Sequence, residues 1–161
     1  MPKIDLQTAP VTKTCSYPAP YHEVCRGREK IALGDLGANG GLDQFGVNLT
    51  RLKPGAASAH RHWHAHEDEL VYILEGTATL IEDDGEAELH PGDVATFKSG
   101  VACGHMLVNR STDDVVFLEV GTRAQSEECI YTDPDVDMHL SRRDGGDWVL
   151  DHKDRTPYEK P

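Results

Sequence analysis

Four histidines stand at alternate positions within seven residues, His60, His62, His64 and His66, and the carboxylates of Glu67, Asp68 and Glu69 follow directly. Imidazole is a ligand that suits first-row transition metals, and its charge changes near neutrality. On an extended strand, residues two apart point to the same side. His62 and His64 then present two rings toward one point, while Arg61, Trp63 and Ala65 face away. Glu69, five residues after His64 and across a bend, can bring a carboxylate to that point, and His105, 36 residues after Glu69, can bring a third ring from the start of another strand. Three His and one Glu suit a divalent ion such as Zn, Mn, Fe or Ni, with coordination positions left for water or substrate. A second register, His60-x-His62 followed by Glu67, has the same local spacing, but only Glu69 keeps six residues to Gly76. His60 and His66 are read as exposed or supporting side chains, and either could act as an acid or base. His22, His90, His139 and His152 have no such constellation around them and are read as surface residues.

The elements that must position this set are short strands. Fifteen glycines and nine prolines punctuate the chain, and no apolar period of 3.6 persists between them. β-forming runs fall at residues 45–52, 69–74, 77–81, 86–89, 94–97, 105–109 and 115–120, separated by turn signals such as Lys53-Pro54-Gly55, Asp84-Gly85 and Pro91-Gly92-Asp93. Some seven strands in so short a stretch predict an antiparallel sandwich or barrel over residues 45–122. Residues 1–44 hold Tyr17-Pro18-Ala19-Pro20-Tyr21 and predict an extended arm and a first strand, not a helix. Residues 123–161 form a polar, acidic extension whose core formers are Tyr131, Val136, Trp148 and Val149.

In this arrangement the sequence resembles the cupin superfamily, whose two motifs read G-x5-H-x-H-x3,4-E-x6-G and G-x5-P-x-G-x2-H-x3-N. The first is matched by Gly55, His62-x-His64, Glu69 and Gly76, and the second by Gly92, Gly100, His105 and Asn109. The chain departs from the motifs in its loops. Gly55 lies one residue too far from His62, Lys98 replaces proline, and four residues separate Gly100 from His105. The resemblance implies an all-β fold, a jelly-roll barrel of two antiparallel sheets. It implies a divalent metal held by His62, His64, Glu69 and His105, a structural role for Asn109, and a homodimer. The signature around these residues is most similar to small single-domain cupins labelled sugar-phosphate (mannose-6-phosphate) isomerase-like. An Fe(II)-dependent dioxygenase and a non-catalytic small-ligand-binding module are the alternatives, and the sequence singles out no catalytic acid or base among them.

Composition narrows the partners. The 161 residues carry 16 Lys and Arg against 28 Asp and Glu, a net charge of −12, which opposes nucleic acid and anionic membranes and favours a small-molecule ligand. Met1–Pro10 lacks the apolar core of a signal peptide and no apolar run is long enough to span a bilayer, so a cytoplasmic protein is expected. Cys15, Cys25, Cys103 and Cys129 show no CxxC pair and are expected to be reduced thiols. Arg51, Arg61, Lys98 and Arg110 are the cations expected to guide an anionic substrate.

Overall fold

The computed structural model describes residues 3–34 and 42–158. Residues 35–41 of the expected N-terminal segment, like the terminal residues 1–2 and 159–161, lie outside them. Twelve strands are described: β1 (Arg28–Gly34), β2 (Phe45–Leu52), β3 (His62–His64), β4 (Glu69–Glu75), β5 (Ala78–Glu82), β6 (Gly85–Leu89), β7 (Val94–Phe97), β8 (His105–Val108), β9 (Val115–Thr122), β10 (Glu127–Tyr131), β11 (His139–Arg142) and β12 (Val149–Asp151). They form a five-stranded sheet in the order β1-β2-β9-β4-β7 and a seven-stranded sheet in the order β12-β11-β10-β3-β8-β5-β6. Every pairing between these strands is antiparallel, as in a jelly roll.

Alternation along the strands builds the core. Leu52, Val71, Ile73, Val115 and Phe117 from the first sheet meet Ala78, Leu80 and Leu107 from the second, all buried. Registers run across the first sheet: Thr50 faces Phe117, which faces Ile73, and two residues along the strands Asn48 faces Glu119, which faces Val71. Two connections depend on single residues. Gly76 turns β4 into β5 with a φ of +76°, and a Cβ there would collide with the Asp114 carbonyl. Asn109, completely buried, donates from Nδ2 to the carbonyls of Leu52 (2.9 Å) and Asp113 (2.7 Å) and accepts from Ser111 through Oδ1. It closes the loop before β9, a structural task matching the one implied for it.

The flanks are more ordered than their composition predicts. The segment after residue 122 supplies β10, β11 and β12, because Cys129, Tyr131, Val136 and Met138 bury together against Tyr17, Tyr21 and Leu140. Trp148 and Val149, expected in the core, are exposed instead. His139, expected at the surface, is buried, with Nδ1 2.8 Å from Arg155 Nη1. The N-terminal arm contains a 3-10 helix, Tyr21–Cys25, where no helix was expected. It is closed by a Cys15–Cys25 disulfide, which corrects the expectation of four free thiols; such bonds are more usual in oxidising compartments than in the cytosol. Cys103 and Cys129 are free. No helix among the described residues is long and apolar enough to cross a membrane.

Candidate metal centre

The three-residue strand β3 lies between β8 and β10, and its neighbours determine what the histidines face. His62 pairs in register with His105 on β8 and with Tyr131 on β10, and His64 pairs with Cys129. Paired residues share a face, so His62, His64, His105, Cys129 and Tyr131 all project inward. Glu69 comes from the opposite sheet, where it starts β4 opposite Gly121 and Phe97.

Ligand atoms of His62, Glu69 and His105 lie within 4.8 Å of one another. His64 joins them through Glu69, whose Oε2 is 3.3 Å from His64 Nε2 and 3.4 Å from His105 Nε2. Each ring is held from behind. His62 Nδ1 donates to the His60 carbonyl at 2.7 Å, which leaves Nε2 with its lone pair. His64 Nδ1 is 3.5 Å from Glu127 Oε1, and the Glu127 carboxylate is itself fixed by the Ala65 and His66 amides, both at 2.9 Å. The His105 ring stacks on Phe97 at 3.6 Å between centroids.

This donor set fits a divalent cation. Among the described residues His105 Nε2, which faces Glu69, is buried without a hydrogen-bond partner, a condition that ligation to a cation would relieve. Burial, reinforced by the rings of His64 and His105, pushes the pKa of His62 down to about 3, so that ring is neutral. Burial also disfavours charge on His64, but the carboxylates of Glu127 and Glu69 outweigh it and raise that ring to about 10. Glu69 is held well below the ordinary carboxylate range, because the His105 and His64 rings overcome the opposing effect of burial.

The residues of the second register are engaged elsewhere. His60 Nε2 is 2.9 Å from the Tyr21 carbonyl. Glu67 is buried, accepts from the Ala124 amide at 3.0 Å and from Arg142 Nη2 at 2.9 Å, and lies 3.6 Å from Arg123 Nη1. Ligand atoms of Glu67 and Glu127 come within 4.8 Å of His64, and Cys129 Sγ approaches both His62 and His64, so two further ligand-type groups border the first. Of these flanking residues, Glu127 and Cys129 lie outside every motif. The only signal for them is the alternation Glu127-x-Cys129-x-Tyr131, which is indistinguishable from that of an ordinary buried strand.

A cavity of about 260 Å³ opens onto the cluster. Its cations are Arg28, Lys30, Arg123 and Arg142, none of which was singled out from the sequence. The expected ones are committed to other partners: Arg51 binds Asp114 (3.0 Å), Arg61 binds Asp133 (2.9 Å) and Asp83 (3.2 Å), and Arg110 grips Glu86 through two bonds. Lys98 borders a second cavity, with Trp63 and Cys103, that shares His64 and His105 with the first. Arg123 owes its place to Gly46, since a Cβ on that residue would collide with the Arg123 guanidinium.

The family described as Cupin domain matches residues 48–121. No curated protein matches the chain by sequence. Among solved structures, a protein described as a sugar phosphate isomerase from a cupin superfamily, from Silicibacter pomeroyi, is 40% identical, with a TM-score of 0.88 over 98% of this chain and 97% of that one. A candidate sugar phosphate isomerase from Acidithiobacillus ferrooxidans is 28% identical, with a TM-score of 0.66 over 83% of this chain and 82% of that one. The polyketide cyclase RemF from Streptomyces resistomycificus, 20% identical, shares the fold alone, with a TM-score of 0.59 over 77% of this chain and 80% of that one. The barrel, the motif residues and the near-complete match to the Silicibacter protein lead to one conclusion: this chain belongs to the cupin superfamily.

Proposed function

We propose that this protein binds one divalent metal through His62, His64, Glu69 and His105 and isomerises a small sugar phosphate in the adjoining cavity. The observation that carries this reading is that one cavity is lined both by that His/Glu cluster and by four cationic side chains. The 40% identical Silicibacter protein, described as a sugar phosphate isomerase, supports the same class. A bound divalent ion would supply Lewis-acid polarisation of a substrate carbonyl or hydroxyl oxygen.

The chain's own residues do the rest. Arg28 and Lys30, the cavity cations not tied to Glu67, draw in and orient an anionic substrate that the overall charge of −12 repels. Tyr17, whose pKa burial raises to about 12, and Tyr131, raised further for the same reason, keep their phenolic protons and can donate hydrogen bonds to substrate oxygens. Dioxygenation would call for an apolar, water-poor pocket, and the charged lining weighs against it. The exposed Leu70, Tyr72 and Leu74 of β4, with Val94 of β7 and Phe45 of β2, are consistent with the homodimer that the resemblance implies.

Elemental analysis of the purified protein should find about one divalent metal per chain, and His62→Ala with His105→Ala should abolish it while circular dichroism stays that of the folded barrel. Assays over a panel of aldose and ketose phosphates should show interconversion that chelation stops. A protein that takes up no metal on titration, or whose activity ignores chelation, would overturn the reading.

A further inference from the structure

We propose that β1 furnishes a phosphate-monoester subsite in this cavity, with Arg28 and Lys30 as its cationic walls and Tyr17 as a neutral donor. The inference rests on the sugar-phosphate reading above and deepens it by placing the anionic end of the substrate. Arg28 and Lys30 occupy alternate positions on β1, opposite Leu52 and Thr50, so both project from the inner face of the sheet. Both line the cavity, together with Tyr17.

Local charge decides between the two cationic pairs. Arg123 and Arg142 are both matched by Glu67, which contacts each of them. Arg142 also donates to the Ala124 carbonyl at 2.5 Å and lies over the Trp148 ring at 4.8 Å. That pair is spent on holding the C-terminal strands to the barrel. Arg28 and Lys30 have one carboxylate between them: Lys30 Nζ is 2.9 Å from Glu119 Oε1, which also accepts from Asn48 at 3.1 Å. Arg28 donates one Nη1 bond to the Ser58 carbonyl at 2.5 Å and, among the described residues, has no carboxylate partner. A guanidinium with unused donors facing a cavity, beside an ammonium and a half-buried phenol, suits a tetrahedral group with three terminal oxygens. A planar carboxylate would use fewer of these donors. The burial of Tyr17, which packs edge to face on Tyr131 at 5.7 Å, keeps its hydroxyl protonated and therefore a donor. The two cations lie outside residues 48–121, so the subsite belongs to this chain's N-terminal segment and not to the matched domain.

The test is calorimetric titration of the metal-loaded full-length protein with inorganic phosphate. Wild type should bind it, and Arg28→Gln and Lys30→Gln should each weaken binding at least about tenfold with the metal content per chain unchanged. With a turned-over sugar phosphate, the same variants should raise KM far more than they lower kcat. If Arg28→Gln fails to fold, Lys30→Gln alone carries the comparison, and Arg28→Lys, which retains the charge, should recover part of the affinity. Phosphate binding unaltered in both Gln variants would mean that the anion sits on the metal or elsewhere, and would overturn the subsite. So would acetate or glycolate competing as well as phosphate does. Failure of the isomerase reading is separate: a protein without metal uptake or isomerisation, whose phosphate binding still depends on Arg28, would lose the reaction and keep the subsite.

Discussion

Within the barrel, the same three strands carry an apolar layer at one end and a charged layer at the other. At the first end Leu52 faces Val115 and Phe117 faces Ile73, all of them fully or nearly fully buried. At the second, Asn48 faces Glu119, and Gly46 and Gly121 lie in line with Glu69. The distance between the two is only a few residues along each strand, roughly 7 Å for each pair of residues. The two ends teach different lessons about substitution. The apolar end is close-packed on both sheets, so losing volume there costs stability. At the charged end each buried polar group depends on a specific partner, so losing a partner there costs ligand affinity before it costs the fold.

The comparison can be broken at either end. The largest effect on stability is expected at the apolar end, where Ile73→Ala should lower unfolding free energy by about 2–5 kcal/mol in denaturant titration, with metal per chain unchanged under native conditions. Metal lost in step with stability would show that the two ends do not behave separately. Next, Glu127→Gln removes the charge behind His64 and should weaken metal binding about 10–100-fold in competition with a chelator, while the melting temperature falls less than in Ile73→Ala, by the loss of one of the two acceptors that the Ala65 and His66 amides use.

The smallest effect lies in the C-terminal strands that back the charged end. Burial, with the Arg155 cation beside it, lowers the pKa of His139 below its ordinary 6.5, so its neutral form is favoured in the folded protein. Its contribution is therefore present above pH 6.5 and is lost as pH falls through the lower folded value. Melting temperatures from near neutral down to about pH 5 should fall less in His139→Gln than in the wild type, a difference that cancels the other titrating groups. An equal fall in both proteins would remove His139 from the account.

The charged end was readable in part from the chain. The alternation His62-x-His64, the six residues that separate Glu69 from Gly76, and His105 at the start of a strand were enough to identify side chains that do converge. Seven of the strand runs were visible because turns bracket them; β3 was legible only through its histidines, being three residues long. The supporting residues were not legible. Glu127 acts on His64 from 63 positions away, a contact created by the β10–β3 pairing, and no local pattern announces which strands will be neighbours. The cations failed for a similar reason. Arg51, Arg61 and Arg110 looked available near the barrel mouth, but Asp114, Asp133 and Glu86 neutralise them, and pairing of that kind depends on tertiary contact. The buried His139 and the Cys15–Cys25 bond likewise depend on where the flanks fold back.

The position of β10 has a consequence for dissecting this protein. β3 meets β8 at one paired position, His62 with His105, and meets β10 at three. A fragment trimmed at the end of β9 would keep every matched motif and yet leave the histidine strand as a sheet edge, its outward amides and carbonyls open to any passing strand. Anyone transplanting this centre into another scaffold would therefore have to move the C-terminal ribbon with it.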